Sequence, residues 1–174
     1  KSVKKTKELT TSQKGINFIK DYEKFQSQMY NDATGNTTIA YGHLIHTDTI
    51  GSDTISEKEF KSGITLSKGE ELLKGDITTK AEIYVKKYVK VDLDQNEFDA
   101  LVSFTFNVGS GHFKSSSLLH TVNTKKTDTL AIRKWFMAWN KGTINDSLFE
   151  LPGLTKRRKQ EANIFIRKTY DSKH

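Results

Sequence analysis

Apolar residues recur at helical spacing along most of the chain, and the first such stretch follows a polar lead. Ile16 and Ile19 lie three residues apart, and Glu23 follows four residues later on the same stripe. The spacing predicts a helix with an N-cap at Thr11 or Ser12 and with Glu23 near its end. A carboxylate on a core-facing stripe is costly to desolvate unless it is paired or protonated, so Glu23 is a functional candidate. The alternative is an ordinary surface glutamate at a fraying helix end.

The pattern changes from helical to strand-like over residues 29–46. Turn-forming residues cluster at 32–36, and a β-branched run follows at 37–39. These features predict a hairpin or small antiparallel sheet. Residues 46–64 are rich in Ser, Thr, Asp and Gly, so we expect a surface segment that holds one more short strand or turn.

A long helix is predicted next, over about residues 65–90, with a cap at Thr65 or Ser67. Glu70 follows Ser67 by three residues and would complete a capping box. Beyond Asp92 the pattern is helical to the end of the chain. We expect a very apolar helix that is stopped by Gly109 and Gly111, and then helices over residues 115–122, 128–140 and 153–170.

These elements predict an α+β fold that is mainly helical and has two lobes with a cleft between them. The N-terminal lobe, about residues 12–64, carries the small antiparallel sheet, and a bridging helix covers about 65–90. The C-terminal lobe, about 91–170, is helical. Residues 1–11 are expected to be a basic tail or linker, and residues 12–174 a single domain.

Composition narrows the possible classes of function. The 174 residues include one proline and no cysteine, which excludes disulfides and thiolate metal sites. No apolar run is long enough to span a bilayer, so membrane insertion is not expected. The net charge of +7 favours an anionic partner, such as nucleic acid, anionic lipid or the bacterial wall, although many lysines belong equally well to a solvated face. Because the chain begins at Lys1 rather than Met, we expect a piece of a longer product.

Three residues form the candidate catalytic set. Asp32 follows Glu23 by nine positions, and Thr38 follows Asp32 by six. The predicted elements put one carboxyl in an apolar wall and the other in a polar, solvated loop. Glycoside hydrolysis needs this asymmetry, because one group must hold a proton for the leaving oxygen while the other stays ionised.

Several separated motifs in the same order resemble the phage-type lysozymes, glycoside hydrolase family 24. The resemblance covers about residues 14–168. Its motifs are Asp21-Tyr22-Glu23, Tyr30-Asn31-Asp32, Gly35, Thr38-Ile39, Gly42-His43-Leu44, Gln95 to Phe104, Phe106 to Gly109, Trp139 to Gly142, Pro152-Gly153-Leu154 and Arg157-Arg158. The residues before Glu23 outnumber those of short relatives, and the segment 46–63 matches no family motif.

The resemblance implies a lysozyme-like fold and a muramidase, which cleaves the β-1,4 bond between N-acetylmuramic acid and N-acetylglucosamine in peptidoglycan. It implies that Glu23 is the general acid, that Asp32 is the general base or charge stabiliser, and that Thr38 helps to hold the attacking water. Such enzymes generally invert the anomeric centre, which needs about 6.5 to 9.5 Å between the carboxyls. No cofactor is implied.

The same resemblance implies further site residues. Tyr30, Ser103, Asn107 and Arg157 match positions that line the substrate cleft. His43 is expected to form a structural ion pair, with Asp76 on the bridging helix as its partner. A metal site is not predicted, because no second ligand stands at a suitable spacing from His43.

Two rival functions remain open at this stage. A lytic transglycosylase would use the same substrate without water, and a non-catalytic wall-binding domain would keep only the fold. Nucleic-acid binding has no recognised motif behind it and is not predicted. We expect a monomer that acts on the bacterial cell wall, in the periplasm or outside the cell. A phage endolysin, a virion-associated lysozyme and a secreted effector, the last with an immunity or inhibitor protein as partner, are all compatible with the sequence.

Overall fold

The computed structural model describes residues 5–174, and the chain divides into two compact units. One unit consists of the described residues up to Ile19 together with Thr78–His174, and the other is Lys20–Ile77. The chain therefore crosses between the two units twice, after Ile19 and after Ile77. The second passage, at Ile77, falls inside the segment that was predicted to be one bridging helix. The first residues of the predicted tail, 1–4, lie outside the described part.

The unit Lys20–Ile77 contains the small sheet that the sequence predicts. Its three antiparallel strands lie in the order β1, β2, β3, with Tyr30 opposite Thr38 on the first pair. The bounds are β1 Gln26–Asn31, β2 Thr37–Ala40, β3 His43–His46, α2 Thr54–Glu57 and α3 Leu66–Ile77, with a 3-10 turn at Lys58–Phe60 between α2 and α3.

The segment after β3 forms helical turns rather than the strand that was one of its two predicted forms. Asp53 caps α2, because its side chain accepts a hydrogen bond from the backbone N–H of Ser56 at 3.1 Å. The buried carboxylate of Glu57 lies 2.7 Å from Nε2 of His46 and accepts the backbone N–H of Gly51 at 2.8 Å. These contacts tie the segment back to β3.

Helix α3 begins at the cap Thr65, whose hydroxyl accepts the backbone N–H of Lys68 at 3.1 Å. The alternative capping box from Ser67 was wrong, because Glu70 instead forms an ion pair with Lys20 at 3.2 Å. The predicted single helix over 65–90 is also interrupted. A π-helical turn at Thr78–Glu82 separates α3 from α4, Ile83–Tyr88.

Helix α3 closely approaches Phe25, the residue immediately before β1. A Cβ added at buried Gly69 would lie 2.5 Å from the Phe25 ring, which is itself packed on Tyr41, whereas a Cβ at exposed Gly75 would meet nothing within 4 Å. Both Ala substitutions gain the same helix propensity. We therefore expect Gly69→Ala to be about 1 to 3 kcal/mol less stable than Gly75→Ala, measured as the free energy of unfolding in urea. Equal stabilities would show that Phe25 moves freely.

The other unit is built around helix α5. Its centre is buried, and it packs against the last helix, α9. Asp94 and Glu97 form a capping box at its start, and Gly109, with φ of +98°, ends it as expected. The bounds in this unit are α5 Gln95–Val108, α6 Ser110–Ser115, α7 Ser117–Lys125, α8 Thr129–Met137 and α9 Pro152–Arg167. Helix α1, Gln13–Glu23, also begins in this unit and has Ser12 as its N-cap.

A second, two-stranded sheet corrects the prediction that the chain beyond Asp92 is helical throughout. Strands β4, Lys141–Ile144, and β5, Ser147–Glu150, form a hairpin. Asn145 and Asp146 at its turn have φ of +50° and +63°. Asn and Asp tolerate this left-handed conformation, which two-residue hairpins of this type require.

The described part of the predicted tail is docked on the fold. Thr6, Leu9 and Thr11 are buried, and Thr6 donates its hydroxyl to the carbonyl oxygen of Val91 at 2.9 Å. The carboxylate of Glu82 accepts both the backbone N–H and the hydroxyl of Thr11. Residues 5–11 are therefore a packed segment and not a free linker. Within residues 5–174 no helix has the length and apolar character needed to cross a membrane.

Candidate active site

Glu23 is the last residue of α1, where the sequence predicts it. Lys24 takes a left-handed conformation with φ of +53°, which ends the helix. The Glu23 side chain is partly buried, and its Oε2 lies against the turn between β2 and β3, 3.8 Å from where a Cβ on Gly42 would stand. Gly42 has φ of +77°, and Ala40, at the end of β2, has φ of +61°. A left-handed alanine is strained, which is a feature often found beside functional sites.

Asp32 sits in a tight polar turn that begins where β1 ends. Its Oδ1 accepts three hydrogen bonds, from the Thr34 backbone N–H at 2.8 Å, the Thr34 hydroxyl at 2.8 Å and the Asn36 backbone N–H at 3.0 Å. These bonds hold the pKa of Asp32 below its usual range, and the bond from the backbone of Asn36 has the largest effect. The other oxygen, Oδ2, accepts none of these three hydrogen bonds. The turn therefore holds an ionised carboxylate that has one oxygen available to a ligand.

Thr38 is connected to Asp32 through Asn36. The Thr38 side chain is buried, and its hydroxyl donates to the Asn36 carbonyl oxygen at 3.0 Å, while the Asn36 N–H holds Asp32. The turn was predicted from Asp32, Gly35 and Asn36, and Thr34 had no predicted role. Thr34 and Asn36 follow the aspartate by two and four residues. This spacing is typical of a turn closed by hydrogen bonds to an aspartate side chain, so it could have identified both residues as partners of Asp32.

Tyr30 stands beside these groups. It is directly opposite Thr38 in the sheet, and it lies two residues before Asp32, at the end of β1. Burial raises the pKa of the Tyr30 phenol, and the negative charges of Asp32 and Glu23 raise it further. The structure thus brings Glu23, Tyr30, Asp32 and Thr38 together in one unit.

His43 on β3 and Asp76 on α3 form the pair that the resemblance implies. Nδ1 of His43 lies 2.8 Å from Oδ2 of Asp76, and both side chains are largely buried. The His43 ring also contacts Phe60, with ring centroids 6.3 Å apart. Since His43 follows Gly42 directly, this pair anchors the turn on which the Glu23 carboxyl lies.

The three substrate residues predicted in the other unit are less accessible than expected. Ser103 is 1% exposed and donates its hydroxyl to Glu161 at 2.5 Å, and Arg157 is 4% exposed and lies 3.4 Å from the same carboxylate. Only Asn107 is exposed, and its Oδ1 accepts a hydrogen bond from Arg158 at 2.8 Å. The expectation that Ser103 faces a ligand together with Asn107 is therefore wrong, because α9 covers that hydroxyl. The sequence analysis assigned no role to Glu161.

No group of three or more histidine, aspartate or glutamate side chains within residues 5–174 could hold a metal ion. The described site contains two carboxyls in different settings. Glu23 is partly buried beside the turn at Gly42, and Asp32 is a partly exposed carboxylate held in a polar turn.

The Asp32 turn allows a prediction about pH. We expect Thr34→Val to raise the pKa of Asp32 toward its ordinary range, because one of three donors to Oδ1 is lost. Ionised Asp32 favours the folded state above the ordinary pKa of an aspartate, and this contribution disappears as the pH falls through the lowered value. NMR titration of the Asp32 carboxyl carbon would measure the shift. Thr34→Ser keeps the donor and should titrate like the wild type, and an unchanged value in Thr34→Val would contradict the assignment.

Known proteins share this arrangement of helices and sheet. The endolysin of Bacillus phage PZA is 39% identical over 156 residues, which cover 88% of this chain and 54% of that protein. The chain spans about half the length of the Bacillus phage endolysins that it matches. The endolysin from Escherichia coli O157:H7 phage FAHEc1 superimposes with a TM-score of 0.77 at 28% identity, covering 94% of this chain and 98% of its own. The muramidase domain of SpmX from Asticaccaulis excentricus gives a TM-score of 0.74 at 28% identity, covering 90% and 97%.

These likenesses confirm the predicted fold class, a mainly helical α+β lysozyme fold with small antiparallel sheets. The sequence model of the phage lysozyme family matches residues 20–161, which include Glu23, Asp32 and Thr38. Because that match covers most of the chain and contains the whole carboxyl site, the protein belongs to the phage lysozyme family.

Proposed function

We infer that this chain is a muramidase that hydrolyses the β-1,4 bond between N-acetylmuramic acid and N-acetylglucosamine in peptidoglycan. The observation that carries the proposal is the different settings of its two carboxyls. Glu23 is partly buried against the turn at Gly42, while Asp32 is held as an anion with Oδ2 free for a ligand. The name of one structural relative, a muramidase domain, supports the same bond, and membership of the phage lysozyme family supports the same class of enzyme.

Each of the two carboxyls, Glu23 and Asp32, transfers one proton in this reaction. Protonated Glu23 donates its proton to the glycosidic oxygen as the bond from that oxygen to the anomeric carbon breaks. A water oxygen forms the new bond to that carbon, and Oδ2 of Asp32 takes the proton that the water loses. Because the water attacks the face of the sugar ring opposite to the leaving oxygen, the configuration at the anomeric carbon is inverted. Two carboxyls and one water suffice, so the reaction needs no cofactor.

Thr38 and Tyr30 are proposed to shape the water site. The buried Thr38 hydroxyl donates its proton to Asn36, so its oxygen can accept a hydrogen bond from the attacking water. The Tyr30 phenol, like that of any tyrosine with an ordinary or raised pKa, is protonated at neutral pH and can donate to sugar oxygens. Asn107 is the one residue of the three predicted on the helical unit that is exposed enough to contact substrate.

The test is digestion of purified peptidoglycan, with mass spectrometry of the released fragments. Reducing N-acetylmuramic acid ends that carry one added water are expected. Reducing N-acetylglucosamine ends would assign the chain to the other glycosidic bond, and 1,6-anhydro ends would assign it to a transglycosylase. No release by folded protein would leave wall binding as its function. NMR recorded during the digestion would identify which anomer of the new reducing end forms first, and the inverted anomer is expected.

The proposed substrate, peptidoglycan, indicates where the chain acts. We propose that the chain works as a monomer on the bacterial cell wall, where peptidoglycan is found. Its family membership favours a phage-derived lysozyme over a secreted effector with an immunity partner.

A further inference from the structure

Two stretches of the helical unit contain no acidic residue. Residues 83–91 and 100–127 lack Asp and Glu, although both contain lysines. The fold joins these stretches, because the side chain of Asn123 accepts the backbone N–H of Lys90 at 2.8 Å and donates to the carbonyl oxygen of Tyr88 at 3.1 Å. The end of α4 is thereby placed beside α6 and α7.

Lysines and tyrosines gather where these stretches meet. Tyr84 and Tyr88 stack with ring centroids 6.2 Å apart, and both rings are partly exposed. The ammonium groups of Lys87 and Lys114, from α4 and α6, lie 5.6 and 5.7 Å from the centre of the Tyr88 ring. Lys90 donates to the carbonyl oxygen of Lys87 at the end of α4. We call Tyr84, Lys87, Tyr88, Lys90 and Lys114 the lysine–tyrosine surface.

The positive charge of this surface is not neutralised within the protein. Lys87, Lys90 and Lys114 are exposed, and none of them forms an ion pair within residues 5–174. Two of the nearby carboxylates are engaged elsewhere, since Glu97 pairs with Lys126 at 2.8 Å and buried Glu82 binds Thr11, while Asp92, two residues after Lys90, is exposed. Three exposed cations around a pair of aromatic rings fit a ligand that alternates anionic groups with apolar or sugar faces.

We propose that the lysine–tyrosine surface binds an anionic wall polymer that is linked by phosphodiesters. Lysine ammonium groups bind phosphate oxygens as point charges, and tyrosine rings pack against the carbon faces of sugars or polyols between phosphates. The choice of a wall polymer over nucleic acid rests on the proposed function, which places the chain on peptidoglycan. Binding there would hold the enzyme on its substrate between cuts.

The experiment measures sedimentation of the protein with bacterial walls that carry phosphodiester polymers and with the same walls after removal of those polymers by hydrofluoric acid. All proteins carry Glu23→Gln, so that the walls are not digested. The triple variant Lys87→Gln, Lys90→Gln, Lys114→Gln should bind intact walls roughly tenfold more weakly than its parent. Both should bind stripped walls equally. Tyr84→Leu, which keeps every charge, should also weaken binding to intact walls.

A matched triple variant controls for net charge. Lys7→Gln, Lys58→Gln, Lys61→Gln also removes three positive charges, which takes the Glu23→Gln parent from +8 to +5, and all three side chains are exposed. Equal weakening by both triple variants would overturn the proposal, because net charge alone would then explain binding. Unchanged binding after stripping would also overturn it, as would tighter binding to double-stranded DNA at the same salt. Digestion of stripped walls by each triple variant with Glu23 intact tests the proposed hydrolysis separately and reports correct folding.

Discussion

Glu23→Gln is expected to lower the rate of peptidoglycan hydrolysis by about 10²- to 10⁴-fold while the protein stays folded. The amide keeps the size of the carboxyl and can still contact the turn at Gly42, but it has no acidic proton to give to the leaving oxygen. Turbidity loss of a wall suspension, followed at several enzyme concentrations, measures the rate. Because a missing proton affects bond breaking and not sugar binding, the loss should appear in kcat rather than in KM.

Glu59→Gln is the matched control for this experiment. Glu59 is an exposed carboxyl in the same unit, in the 3-10 turn after α2, and its loss changes net charge by the same amount. The control should hydrolyse walls at the wild-type rate. Retention of more than a tenth of the wild-type rate by folded Glu23→Gln would mean that another group supplies the proton.

Glu161→Gln is expected to lower the free energy of unfolding by about 3 to 5 kcal/mol. Glu161 and Arg158 are completely buried, and their closest charged atoms are 2.6 Å apart, while Arg157 is 4% exposed beside them. Removing this carboxylate takes away a negative charge beside two buried guanidinium groups, in an interior where loss of a charge partner is far more costly than at the surface. Urea unfolding followed by circular dichroism gives the value.

Lys159→Gln on the same helix provides the comparison. Lys159 is exposed, so its substitution should change the free energy of unfolding by no more than about 0.5 kcal/mol. A loss below about 1 kcal/mol in Glu161→Gln would show that the arginines find other partners or water.

Local patterns were sufficient for several elements of the site. The stripe of Ile16, Ile19 and Glu23 placed a carboxyl at a helix end, and Ser12 is the cap that its residue type favours. The switch to β-branched residues after the turn at Asp32 located the sheet. These signals act over a few residues, so they do not depend on distant packing.

Other features depended on contacts between residues far apart in the chain. The lead before α1 has no periodicity, yet it is docked because Glu82, 71 positions after Thr11, accepts its backbone N–H. Ser103 has the helical spacing of a ligand-facing residue relative to Asn107, yet it is covered by Glu161 of α9, 58 positions away. The hairpin at 141–150 was missed because its strands are four residues each and mostly exposed, so their hydrophobic period is weak.

The sequence by itself therefore determined the family, the helical stripe that ends at Glu23, the turn at Asp32 and the sheet that carries Thr38, since residue type and spacing encode local backbone geometry. Only the tertiary structure decided which groups Asn36 links, which of the predicted substrate residues are buried, and where the lysines of α4 and α6 converge on Tyr88. The physical reason is that burial and electrostatic environment are set by neighbours in space. Those neighbours are chosen when the whole core packs, and no local pattern records them.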